Sequence, residues 1–167
     1  MRTKGFILLR TLMLTFFCLV VAAIVYAFVQ QHNLTLMCTD NLRRIFTALE
    51  MYEIERGTLP RLAFFPNDPR QDMDSINVAL EEFGAHGTTC ICPTTHPSHK
   101  LLGLTYLWNH DLSGSKLQED KEPVWMLVEI NALSDQVPAP HLGLYNILYS
   151  DGSVRRSRTP PDGLRRR

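Results

Sequence analysis

The chain lacks an excess of charge of either sign: 17 Lys plus Arg stand against 17 Asp plus Glu over 167 residues. That balance removes the usual electrostatic footprint of a nucleic-acid binder. It lacks the arrangements that carry common chemistry, having no Gly-x-Ser-x-Gly elbow, no His-Glu-x-x-His and no phosphate-binding glycine loop, so an enzyme is not expected. Internal repeats are missing, and with them the solenoid architectures. Long apolar runs are also scarce, because only one is present. With 45% hydrophobic and 20% charged residues the composition fits one modest folded domain and excludes both a disordered chain and a bundle of membrane helices.

The single apolar run decides the location. No charge occurs from Thr11 to Val29, a stretch that nearly crosses a hydrocarbon core of about 30 Å, and Phe6 to Leu9 extend it. A cleaved secretory signal would have a shorter apolar region and a small-x-small site, which residues 22–30 supply poorly. Arg2, Lys4 and Arg10 precede the run, and no Lys or Arg follows it before Arg43. The positive-inside rule therefore keeps the N-terminus in the cytoplasm and sends everything after about residue 30 outside it. Zero net charge also hides a division: residues 59–154 carry five basic and twelve acidic side chains, whereas residues 155–167 carry six arginines and one aspartate. An acidic middle and a basic tail are expected, the tail solvated or in contact with acidic partners or lipid headgroups.

Beyond the apolar run, Leu42, Ile45, Phe46, Leu49 and Tyr52 recur at helical spacing, and Gly57 and Pro60 stop the pattern. No proline or glycine intervenes between Val29 and Thr39, although Thr39 or Asp40 could cap a new helix. One helix from about residue 6 to 56 is expected, roughly 75 Å long. Residues 61–73 read as a loop, and Asp74 or Ser75 then caps a short helix that ends at Gly84. Strands are expected over 104–108, 124–130, 145–149 and 153–156, the last two joined through Ser150-Asp151-Gly152 in a hairpin. The fold class is α+β, a long helix packed against a small antiparallel sheet.

Candidate chemistry is sparse. Cys18 falls inside the apolar run as a small apolar residue, while Cys38, Cys90 and Cys92 would face an oxidising compartment with room for one disulfide and one spare thiol. The spacing does not choose the pair. Cys90, Cys92, His96 and His99 are the residue types of a zinc site, but the cysteine spacing is short, two prolines intervene and the thiols would tend to oxidise. Surface histidines beside a Cys-Pro loop are the plainer reading. Asp111, Asp135 and Asp151 offer oxygens to calcium without the spaced ligands of an EF-hand loop. His141 and Asp151, with Ser150 beside them, could be imagined as a catalytic set; the hairpin accounts for Asp151-Gly152 more simply. No cofactor is expected. Asn33-Leu34-Thr35 is a sequon, relevant only in a glycosylating host.

Four features in order resemble the type IV pilin-like proteins, in particular the pseudopilins of type II secretion-like systems. Lys4-Gly5-Phe6 before an apolar helix looks like the prepilin processing site. Cys38-x-x-Asn41-Leu42-Arg43-Arg44, continuing to Gly57-x-Leu59-Pro60, resembles the rest of the pilin helix and its exit in one bacterial group. Cys92-Pro93 with Tyr106 and Asn109 is a weaker third element, and His141 followed after nine residues by Asp151-Gly152 matches a signature of that group. The resemblance implies cleavage after Gly5, methylation of Phe6, and the fold motif His141, Asp151 and Gly152. It implies other pilin-like subunits, a prepilin peptidase and an inner-membrane assembly platform as partners, and no nucleic acid. One departure stands out: Arg10 occupies the position where assembling pilins usually carry Glu, which pairs with a neighbour's amino group. Arg10 instead suits snorkelling to the cytoplasmic face, or a minor subunit.

The expected organisation is a leader over 1–5, a transmembrane and assembly helix over 6–30, its periplasmic continuation over 31–57, an α+β head over 58–154 and a disordered basic tail over 155–167. The protein would sit in a bacterial inner membrane with its head in the periplasm. The rival expectation is a non-assembling, signal-anchored extracytoplasmic binding module, with metal as one ligand it could hold.

Overall fold

The computed structural model describes residues 2–117 and 122–164, with side chains from residue 9 onward. One helix, α1, runs over Arg2–Arg56 without a break. Thr39 does not start a new helix: its hydroxyl donates to the Thr35 carbonyl one turn earlier, at 3.2 Å, and so stays inside the helical pattern. The chain forms two units, residues 1–34 and residues 35–167.

The first unit is the N-terminal part of α1. From Thr11 to Val29 its side chains are exposed and mostly apolar all round, Leu12, Phe16, Leu19, Ile24 and Phe28 among them. A helix that is apolar on every side has no single face for a soluble core. This is the one helix, among the described residues, that is long and apolar enough to cross a membrane.

The second unit is built around the rest of α1. Thr35, Cys38, Leu42, Ile45, Ala48 and Leu49 are buried there, and the spacing of three and four residues makes them one stripe. Against that stripe lies a four-stranded antiparallel sheet in the order β1 (Tyr106–Trp108), β2 (Trp125–Glu129), β3 (Tyr145–Tyr149) and β4 (Val154–Ser157). Tyr106, Trp108, Met126, Leu127 and Leu148 share the helix-side core with Leu42, Ile45 and Leu49. The arrangement is an α+β fold, a long N-terminal helix with a small C-terminal antiparallel sheet.

Two short helices sit between. Ser75 caps α2 (Ile76–Ala79) by accepting from the Asn77 N–H, and the chain leaves through a single 3₁₀ turn that ends at Gly84. The other, α3 (Pro97–Lys100), falls where a loop is expected, because His96 supplies its cap and Pro97 occupies the first turn.

One finding adds to the sequence reading and one departs from it. The sheet is covered on both faces: Leu107, Val128, Tyr145 and Ile147 form a second core with Phe64 and Phe65 from the segment after α1. The basic tail is also ordered as far as it is described. Residues 155–157 belong to β4, Leu164 is buried in the second core, and the Trp125 indole N–H donates to the Asp162 carbonyl at 3.1 Å. The expected strand over 153–156 is β4, whose backbone pairs with β3 while the Arg155 and Arg156 side chains are exposed.

Candidate functional site

Four ionisable side chains from distant parts of the sequence meet inside the second unit. Cys38 comes from the buried stripe of α1, Cys92 from the loop after a 3₁₀ turn, Glu129 from the end of β2, and His141 from the loop before β3. Their donor atoms all lie within 4.8 Å of one another, and all four residues are buried. Among the described residues this is the only group of three or more His, Cys, Asp or Glu side chains so placed.

Each member is held by its element. Cys92 is fixed by its backbone N–H donating to the Thr105 hydroxyl at 2.6 Å. Glu129 pairs across the ladder with Tyr106, so both side chains face α1. His141 is clamped by reciprocal backbone bonds with Leu144, both at 3.2 Å, around a turn in which Leu142 takes a φ of 56°. A left-handed backbone is uncommon for leucine; Leu142 is exposed and the neighbouring imidazole is buried.

The contacts form one closed set. His141 Nε2 lies 3.0 Å from Glu129 Oε1 and 3.5 Å from Cys92 Sγ, and Cys38 Sγ lies 3.5 Å from the same Glu129 oxygen. Outside these, the Tyr106 hydroxyl approaches Cys38 Sγ at 3.3 Å and the Thr94 hydroxyl approaches Cys92 Sγ at 3.0 Å. The Asn146 backbone N–H donates to Glu129 Oε2 at 2.8 Å. His141 Nδ1 meets the Thr35 and Thr94 hydroxyls, each at 3.2 Å.

The electrostatics follow from burial and from this crowding. The hydrogen bond from Cys38, then those from His141 and Thr94, outweigh desolvation and bring the Cys92 thiol down to about 4. Burial, the bond to Cys92 and the Glu129 charge hold Cys38 well above the ordinary thiol range. Burial opposes a charge on His141, yet its bonds to Cys92 and Glu129 prevail and raise it to about 9. Burial lifts Glu129 to about 7, with His141 pulling the other way. A thiolate this enclosed is a held charge and not an exposed nucleophile.

The sequence candidates are distributed differently. Cys92 joins the cluster, but Cys90 donates to the Ala85 carbonyl and burial alone raises its thiol to about 12. The exposed His96 caps α3, and His99 lies on α3 with it, so the set Cys90, Cys92, His96 and His99 is not assembled. Local spacing picked the wrong companions for Cys92, because its real neighbours come from another helix and two sheet segments. All four cysteines are free thiols, and Cys38 and Cys92 are the two that adjoin. Asp111, Asp135 and Asp151 are not gathered around a common point.

His141 and Asp151 serve separate purposes. Asp151 sits in the β3–β4 turn, where it accepts from Ser153 and pairs with Arg155 at 2.8 Å. Gly152 has a φ of 75°, and a Cβ there would stand 2.7 Å from the Phe46 ring, so the turn packs directly on α1. Arg10 is exposed on α1, and the side-chain surroundings of Gly5 and Phe6 lie outside the described residues. Glu129 is the member that sequence reasoning missed; an acid in the otherwise apolar run Val124–Ile130 was the available signal. The chain matches no protein-family model, no curated protein and no solved structure.

Proposed function

We propose that the chain is a pilin-like structural subunit, a pseudopilin, anchored in the inner membrane before it enters a type II secretion or type IV pilus-like fibre. The observation that carries this reading is the change of character along α1: exposed apolar side chains from Leu9 to Val29, then a stripe buried in the head from Thr35 to Leu49. The first part suits lipid and then the helices of neighbouring subunits; the second carries the folded head. Ala22 and Ala23 permit close helix approach. Arg10 in place of the usual Glu fits a minor subunit. The head lies on the periplasmic side, and no bond-making chemistry is assigned to it.

Processing provides the test. Produced with a prepilin peptidase, the wild-type chain is expected to lose residues 1–5 and begin at methylated Phe6, and Gly5→Ala to keep Met1, as read by intact mass and N-terminal sequencing. Met1 on both proteins would contradict the fibre reading and favour a signal-anchored binding module. That second reading draws on Arg10 and on the buried donors Cys38, Cys92, Glu129 and His141.

A further inference from the structure

We propose that Cys38, Cys92, Glu129 and His141 bind one zinc ion in tetrahedral coordination, tying α1 to the sheet of the head.

The donor set and its spacing carry this. A tetrahedral zinc ion holds sulfur at about 2.3 Å and nitrogen or oxygen at about 2.0–2.2 Å, which requires neighbouring donors about 3.3–3.8 Å apart. The edges Cys92 Sγ to His141 Nε2 and Cys38 Sγ to Glu129 Oε1 are both 3.5 Å, and His141 Nε2 to Glu129 Oε1 is 3.0 Å. These are three of the six edges of the tetrahedron, and all four donor atoms lie within 4.8 Å of one another, so inward movements of no more than about an ångström bring the set to tetrahedral spacing. Two thiolates, an imidazole and a carboxylate are zinc ligands, whereas calcium takes six to eight oxygens that this pocket does not hold.

The surrounding shell points the same way. A ligating histidine donates its second ring nitrogen to an outer partner, which sets the tautomer that leaves the other nitrogen free. His141 Nδ1 faces the Thr35 and Thr94 hydroxyls while Nε2 faces the ligands. Once bound, two thiolates and a carboxylate leave the site with one surplus negative charge. The Tyr106 and Thr94 hydroxyls donate to the two sulfurs and the Asn146 N–H to Glu129 Oε2, spreading that charge over fixed dipoles.

Stability alone does not explain the cluster. Burying four ionisable groups is expensive, and apolar side chains of similar volume would serve a core as well or better. A disulfide between Cys38 and Cys92 would leave Glu129 and His141 buried without a purpose. The Asn146 side chain adds to this: it is fully buried beside Glu129 on the ladder, and neither its amide oxygen nor its nitrogen has a partner. A metal centre also shields two thiolates in an oxidising compartment. The proposal stands whether or not the chain enters a fibre.

The test uses the full chain in detergent micelles, purified without chelator under mild reduction. Elemental analysis is expected to find about one zinc per chain. Replacement by cobalt(II) should give the strong visible absorption of a tetrahedral ion, with a thiolate charge-transfer band. Cys92→Ser and His141→Ala should each lose the stoichiometric metal, whereas the double variant His96→Ala/His99→Ala should keep it. Zinc a hundredfold above its Kd should raise the head's thermal midpoint by about 10 °C relative to the chelated protein. Should the cluster variants fail to fold, the wild-type cobalt spectrum decides alone. No stoichiometric metal together with a featureless cobalt titration, a Cys38–Cys92 disulfide in the purified chain, or metal lost with His96 and His99 would each overturn the proposal.

Discussion

Glu129→Leu is expected to destabilise the chelated head by about 3–5 kcal/mol, the range for removing one partner of a buried ion pair. Glu129 is fully buried, and its carboxylate accepts from His141, Cys38 and the Asn146 backbone N–H. Without it, the buried His141 imidazole loses the carboxylate it bonds, and the buried Asn146 N–H loses its acceptor. His141→Leu should be costly for the same reason. The double replacement Glu129→Leu/His141→Leu is expected to cost less than the two singles combined by about 1–3 kcal/mol, since neither charge is then left unpaired. Chemical denaturation with chelator present measures all three. Strict additivity would show that the two side chains do not act as a pair.

Leu42→Ala, at the centre of the buried stripe, is expected to cost about 2–5 kcal/mol through lost burial and the cavity left behind. Leu19→Ala on the same helix should leave head stability within about 0.5 kcal/mol, because Leu19 is 69% exposed and belongs to the other unit. Trp108 and Trp125 are the chain's two tryptophans and both lie in the sheet, so their fluorescence reports unfolding of the head alone. Equal losses from both replacements would mean that the two parts of α1 unfold together.

Much of the fold is legible because it is written at short range. The stripe Leu42, Ile45 and Leu49 shows the helical period, and Asp151-Gly152 between apolar runs marks the hairpin. The buried tail escaped notice because Leu164 is a single apolar residue among arginines, and its burial depends on a sheet face assembled elsewhere. The cluster was hidden for a related reason. Cys38, Cys92, Glu129 and His141 occupy four segments that meet only after the helix and the sheet have packed. The visible local pattern, Cys90-x-Cys92, drew attention to a thiol that turned out to bond the Ala85 carbonyl. Two weak signs did exist: Cys38 continues the apolar stripe one turn before Leu42, and Glu129 is an acid within a strand of apolar residues.

The central claim is that the N-terminal half of α1 is surrounded by lipid, and the chain carries its own probe. Cys18 is the exposed cysteine within the apolar stretch, whereas Cys38, Cys90 and Cys92 are buried in the head. In intact membranes, a hydrophilic maleimide is expected to leave Cys18 unmodified, and the same reagent is expected to label it fully once the chain is denatured in SDS, as located by peptide mass. Labelling of Cys18 in intact membranes at the rate seen in SDS would contradict the account.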